Sequence, residues 1–132
     1  MNLPPSAPRR ILIVDDSPEI VMSLSTLLQM SGNTTQAAQN GEEAISMAEQ
    51  FRPEVILLDL GLPKVDGFEV CRRIRQQAWG KEMAIVALTG MGHDEARMKT
   101  LESGFDMHLV KPLDPEILFV VLASIGPVPP TN

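Results

Sequence analysis

The chain has 132 residues, 44% hydrophobic and 21% charged, which suits one globular domain with a real core and leaves too little for two. Seventeen acidic against eleven basic residues give a formal charge of −6, a field that repels phosphate backbones and anionic lipid surfaces, so direct nucleic-acid binding is not expected. Cys71 is the single cysteine, which excludes an internal disulfide and a multi-cysteine metal site and fits a reducing compartment. The opening Met1 to Arg10 lacks the apolar stretch of a signal peptide. The longest apolar run, Ile117 to Ala123, is far short of the roughly 20 residues of a membrane span. A cytoplasmic location without membrane contact is therefore expected.

Prolines mark both ends, at Pro4, Pro5 and Pro8 and again at Pro127, Pro129 and Pro130. They remove amide donors and favour extended backbone, so residues 1–9 and 126–132 are expected to be disordered tails around a domain over 10–125. Within it, short apolar runs alternate with segments of helical period, the pattern of βα units on a parallel sheet. The first strand is Ile11 to Val14. A helix follows with Ser17 as N-cap, Pro18 in first position, and Ile20, Val21, Leu24, Leu27 and Leu28 on one face. Asn33 to Ala38 is polar enough to be an edge strand, and the next helix begins near Asn40 with Glu42 and Glu43 at its positive end.

Val55 to Leu58 is apolar on both faces, as a central parallel strand requires. Gly61, Pro63 and Gly67 punctuate the loop beyond it, and a helix carrying Phe68, Val70, Cys71 and Ile74 follows. Ala84 to Leu88 is the fourth strand. A less regular fourth helix spans about 94–103 and stops at Gly104. A fifth strand covers Met107 to Val110, and Asp114 and Pro115 start the fifth helix.

Four of the five strands end in groups of complementary chemistry: Asp15-Asp16, Asp59, Thr89 and Lys111. An open parallel sheet delivers those ends to one edge, where ligands bind. An acidic pair after a strand also serves as a solvated turn, Thr-Gly is a common strand exit and Lys-Pro an ordinary loop pair. The ordered combination carries the signal. Three crowded carboxylates require a compensating cation, and oxygen ligands with phosphate nearby suit Mg²⁺. Asp59 could then act as a nucleophile toward a phosphoryl group whose charge Lys111, Thr89 and a metal would neutralise.

With Ile11-Leu12-Ile13-Val14-Asp15-Asp16, Asp59-Leu60-Gly61-Leu62-Pro63 with Gly67, Ala87-Leu88-Thr89-Gly90, Gly104-Phe105-Asp106 and Leu109-Val110-Lys111-Pro112, the chain resembles the receiver domain of two-component response regulators over about Arg10 to Ile125. The resemblance implies a doubly wound, flavodoxin-like α/β fold with strand order 2-1-3-4-5 and a cis Lys111-Pro112 bond. It implies a phosphoacceptor signalling domain, not an enzyme with its own substrate, in which Asp59 takes phosphate from the phosphohistidine of a histidine kinase or phosphotransfer protein. Asp16, Asp59 and the Gly61 carbonyl would bind Mg²⁺, with Asp15 assisting through water. Thr89 and Lys111 would hold the phosphoryl oxygens.

Two features depart from the family pattern. His108 stands where receivers usually carry the Tyr or Phe that swings inward with the threonine, so it is either the switch or a half-exposed strand residue. Gly61 and Met91 put no polar group over the acyl phosphate, which predicts slow unaided hydrolysis. On the fifth helix Leu118, Val121, Leu122 and Ile125 share the face expected to cover the sheet. Phe119 and Val120 then point away, as a docking surface or as scattered surface apolars. The resemblance implies that the face built by the fourth helix, fifth strand and fifth helix serves dimers or output contacts, so a homodimer or a docked output partner is expected there.

An aspartyl-phosphate hydrolase is the competing enzyme class, but haloacid-dehalogenase-like enzymes carry a second Asp where Gly61 stands. A flavin-binding protein would want phosphate donors after the first strand and aromatic rings, whereas the chain has Asp15-Asp16 there and no tyrosine. A silent scaffold would not need all five polar groups. No output segment follows Ile125, so the domain is expected to act alone or to derive from a parent such as a hybrid sensor kinase.

Overall fold

The computed structural model describes residues 8–62, 65–90 and 102–125. Five parallel strands form one sheet in the order β2-β1-β3-β4-β5: β1 Arg10–Val14, β2 Thr34–Ala38, β3 Val55–Asp59, β4 Ala84–Thr89 and β5 Met107–Val110. The helices are α1 Pro18–Met30, α2 Gly41–Phe51, α3 Gly67–Gln76 and a C-terminal helix Pro115–Ser124, with a 3₁₀ turn at Ala78–Gly80. The expected topology is present, and polar β2 is indeed an edge strand.

Each helix start has a local cause. Ser17, Asn40, Asp66 and Asp114 have extended backbone, and each side chain accepts an amide hydrogen from the first turn, satisfying a donor with no partner inside the helix. Gly104 at φ +100° lies just past Glu102 and Ser103, the described end of the fourth helix. Residues 1–7, 91–101 and 126–132 lie outside the described residues, but Arg9, expected in the N-terminal tail, is tied to the domain: its amide donates to Asn33 Oδ1 at 3.0 Å and its carbonyl accepts the Thr34 amide at 2.9 Å. The Lys111-Pro112 bond is cis, as expected.

Alternation along the strands divides the core into two layers. Ile11, Ile13, Leu57, Val86 and Leu88 pack with Leu24 and Leu28 of α1 and with Leu118 and Leu122 of the C-terminal helix. Leu12, Val14, Ile56, Leu58, Ile85 and Ala87 pack with Ala44 and Ala48 of α2 and with Val70, Cys71 and Ile74 of α3. Central β1 and β3 are wholly buried from Ile11 to Val14 and from Val55 to Leu58. At about 1.5–3 kcal/mol for each large apolar side chain, they form a stiff platform for the carboxylates at their ends. Burial also pushes the Cys71 thiol up to about 11, which keeps it protonated and unreactive at neutral pH.

A clasp at the opposite end of the sheet has no signature in the hydrophobic pattern. The Arg75 guanidinium donates to the carbonyls of Gly80, Met83 and Gly104 at 2.6–2.9 Å and to Asp106 Oδ2 at 2.7 Å. The same oxygen accepts the Ile85 amide at 2.8 Å. One side chain thereby joins α3 to the beginnings of β4 and β5, leaving the far ends of those strands to carry chemistry.

Candidate functional site

The switch point lies between β1 and β3, whose neighbours β2 and β4 lead away in opposite directions. Crevices of this kind receive ligands in open α/β sheets. The chain leaves β1 through Asp15, whose amide still bonds to the Ala38 carbonyl of β2 at 3.1 Å. Asp15 is 1% exposed, Asp59 at the end of β3 is 7% exposed, and Asp16 faces solvent. One oxygen from each of the three carboxylates lies within 4.8 Å of the other two.

Lys111 compensates part of that charge. Its Nζ donates to Asp15 Oδ2 at 2.8 Å and stands 3.5 Å from Asp59 Oδ1. Its amide bonds to the Thr89 carbonyl at 2.8 Å, so the β4 and β5 ends set the lysine's starting point. Burial pulls the ammonium down from the ordinary lysine value, but the Asp15 hydrogen bond and the Asp59 charge outweigh it and hold Lys111 above that value.

The two buried carboxylates are held differently. Asp15 Oδ1 accepts the Ser17 amide at 2.9 Å, so both its oxygens are engaged. Asp59 Oδ1 accepts the Gly61 amide at 3.0 Å, and among the described residues no hydrogen bond reaches its Oδ2. Among the described residues, Asp59 thus has one anchored oxygen and one without a hydrogen-bond partner. Thr89, 8% exposed, ends β4 beside Asp59, which pairs with Leu88.

Gly67 makes the loop after Asp59 possible in a way its sequence role as punctuation did not show. A Cβ there would sit 2.6 Å from the Asp59 carbonyl oxygen and 2.8 Å from the Leu60 Cα, both backbone atoms with little freedom to move. Only glycine lets the α3 N-terminus close against the strand end that carries Asp59. The Asp66 cap of α3 was likewise missed, although an Asp three residues before Glu69 is a recognisable signal.

His108 is half-buried on β5, pairs with Ala87 and by strand alternation shares a sheet face with Val110, the partner of Thr89. Met91 lies outside the described residues. Phe119 requires a correction: it does not stand clear of the sheet but packs, half-buried, against the apolar layer beneath its helix. The exposed large apolar residues of that helix are Ile117, at 53%, and Val120, at 60%. The run from Ile117 to Ala123 is apolar all round, so periodicity alone could not orient it. Among the described residues no helix is long and apolar enough to cross a membrane.

A doubly wound sheet carries at its switch point three clustered carboxylates that could hold a metal ion, with a lysine beside them. Residues 11–123 match the family model of the response regulator receiver domain, and the chain belongs to that family and acts in two-component signalling. It is 41% identical over 107 residues to the DNA-binding dual master transcriptional regulator RpaA of Synechocystis, but spans only 44% of that protein. It is 37% identical to a 14.6 kDa protein from Leptolyngbya boryana, covering 80% of each chain. Among solved structures, the chemotaxis protein CheY4 of Vibrio cholerae superposes with a TM-score of 0.86 at 33% identity, covering 91% of this chain and all of that one. The receiver domain of sensor histidine kinase PA1611 from Pseudomonas aeruginosa has a TM-score of 0.83 at 31% identity, covering 90% and 98% of the two chains, and holds a magnesium ion in its active-site cleft.

Proposed function

We propose that residues 10–125 form a phosphoacceptor domain in which Asp59 takes a phosphoryl group from the phosphohistidine of a histidine kinase or phosphotransfer protein. The Asp59 oxygen attacks phosphorus, the P–N bond breaks, and the electron pair returns to the donor imidazole. The observation that carries this is the shared Lys111 ammonium, 2.8 Å from Asp15 and 3.5 Å from Asp59, beside an Asp59 oxygen that no described residue engages. Lys111 meets the charge that spreads over the transferred oxygens, and Thr89 adds a hydroxyl at the neighbouring strand end.

The donor set fits Mg²⁺: the carboxylates are hard oxygen ligands, and one lysine leaves them under-compensated. Asp16 and Asp59, with the Gly61 carbonyl, would hold the ion directly. Asp15, with both oxygens engaged, would act through water. A bound ion would supply charge neutralisation at the phosphoryl oxygens. The domain promotes its own phosphotransfer but has no separate substrate, and the cytoplasm is where it would meet its kinase. Incubation with acetyl phosphate and Mg²⁺ should add one phosphoryl mass, located at Asp59 by peptide mapping and missing in Asp59→Asn. Labelling elsewhere in both proteins would defeat the proposal.

The acyl phosphate should be long-lived. A Cβ at position 61 would stand 3.7 Å from Asp59 Oδ1 with nothing else within 4 Å, so this position borders the acceptor, yet glycine supplies no group to orient a water. Gly61→Asn is therefore expected to speed unaided loss of the label by about tenfold. A mass-spectrometric time course in which the wild type is already as fast would contradict this.

Signal output is assigned to the face of β5 and the flanking helices, where Val110, Ile117 and Val120 are exposed. A target or second copy would dock there after phosphorylation. Thr89 and His108 lie on the same sheet face and should change environment together. NMR of the beryllofluoride-activated domain should shift both residues, and movement of Thr89 alone would remove His108 from the switch.

A further inference from the structure

The opposite edge of the sheet has its own chemistry. From Ile20 through Gly41 the chain carries no charged residue, in a protein of net charge −6. This stretch covers most of α1 and all of β2. Within it, Thr34 donates to the Arg9 carbonyl and Ala38 accepts the Asp15 amide, so in the parallel ladder residues 34, 36 and 38 face β1. The N–H and C=O of Thr35 and Ala37 point outward and have no partner among the described residues.

An open edge of this kind is a template for another strand, and proteins usually blunt it with lysine, proline, a bulge or an inward charge. β2 has none of these. The other edge strand, β5, is bracketed by Asp106 at one end and by Lys111 and Pro112 at the other. Beside the β2 edge, α1 presents Met22 and Met30, 70% and 82% exposed, on one stripe with Thr26. Gln29, on the same side of α1, donates to Thr35 Oγ1 at 2.8 Å, which makes the methionine stripe and the strand edge one continuous surface.

We propose that the unphosphorylated chain dimerises through this edge, a second copy's β2 lying antiparallel to its own. A two-fold axis at Gln36 would let Thr35 exchange both backbone hydrogen bonds with Ala37 of the partner subunit, and the reverse. Because that axis is normal to the sheet, both α1 helices fall on the same side and their methionine stripes meet. Charge selects a second copy as occupant. A two-fold contact brings two bodies of the same net charge together, and a surface without charged residues around the axis is where their mutual repulsion is least. None of this depends on the phosphotransfer chemistry.

Sedimentation velocity of the full, unphosphorylated chain from about 5 to about 500 µM, a range that brackets weak dimerisation, should show monomer passing to dimer. Added salt should tighten the dimer by screening the repulsion of the acidic bodies. Met30→Glu places a charge on a solvent-facing site without touching the core, and should weaken association by at least about tenfold, equivalent to about 1.4 kcal/mol. Ala37→Pro, which removes only an outward donor, should do the same, and if it disturbs folding by circular dichroism Met30→Glu decides alone. Val120→Asp, on the C-terminal helix and outside the β2 edge and its methionine stripe, should change nothing. A monomer at every concentration would leave the edge to a foreign strand and overturn self-association. So would a dimer indifferent to Met30→Glu, or one dissolved by Val120→Asp.

Discussion

Lys111→Met should destabilise the protein by about 2–3 kcal/mol and slow labelling of Asp59 by about two orders of magnitude. Asp15 is 1% exposed, and the lysine is its one cationic partner among the described residues. Losing it leaves a buried carboxylate with only the Ser17 amide, beside a second carboxylate at Asp59. Removing one member of a fully buried pair costs about 3–5 kcal/mol. The figure is lowered because the Lys111 side chain keeps 23% of its exposure. Methionine has a similar length and apolar stem, so loss of packing is small and the effect reports charge.

The pH dependence provides a second signature. The folded protein binds the Lys111 proton more tightly than the unfolded chain, so the resulting stability is fully present below the ordinary lysine value of 10.5 and fades as pH rises through the raised folded value. The stability gap between wild type and Lys111→Met should therefore narrow only above about pH 10.5. Cys71 adds a separate loss, since unfolding frees a thiol to ionise from its ordinary value of 9.0 that burial holds to about 11. Both proteins share that term, so their difference isolates the lysine. Denaturant titrations at a series of alkaline pH values would check it, and a gap that stays constant would refute it.

Asp59→Asn should abolish labelling and, in metal-free buffer, make the fold more stable by about 1–2 kcal/mol. At an effective dielectric near 20, charges at the outer bound of 4.8 Å that the three carboxylates share repel by about 3–4 kcal/mol. Asp59 has two such neighbours in Asp15 and Asp16, against one attraction to Lys111 at 3.5 Å worth about 5 kcal/mol. Solvent screening at exposed Asp16 reduces the net, but its sign favours the neutral amide. Mg²⁺ should raise the melting temperature of the wild type by binding the folded state and have much less effect on the variant. A wild type that melts at the same temperature with and without Mg²⁺ would refute the metal assignment.

The core could be read from the chain because its periodicities are local. β3 is apolar on every residue from Val55 to Leu58 and is central, polar β2 is an edge, and Ser17, Asn40 and Asp114 cap helices where their side-chain chemistry predicts. The C-terminal helix resisted the same approach. Seven successive apolar residues have no polar face, and only packing against the buried layer beneath the helix decided that Phe119 is half-buried while Ile117 and Val120 remain outside. The Arg75 clasp was invisible for a different reason: its acceptors are mostly backbone carbonyls, which every residue carries.

By itself the order of residues determined which groups end the strands, because a strand's terminus is marked by its own apolar run. Those groups are Asp15, Asp16, Asp59, Thr89 and Lys111. Tertiary structure alone decided how they differ. Both oxygens of Asp15 are engaged, one oxygen of Asp59 has no hydrogen bond among the described residues, and Gly67 admits a close backbone approach that no other residue allows. Such distinctions depend on distances between segments far apart in the chain, and those are set only when β1, β3 and β5 are brought to one edge by the packing of the layers around them.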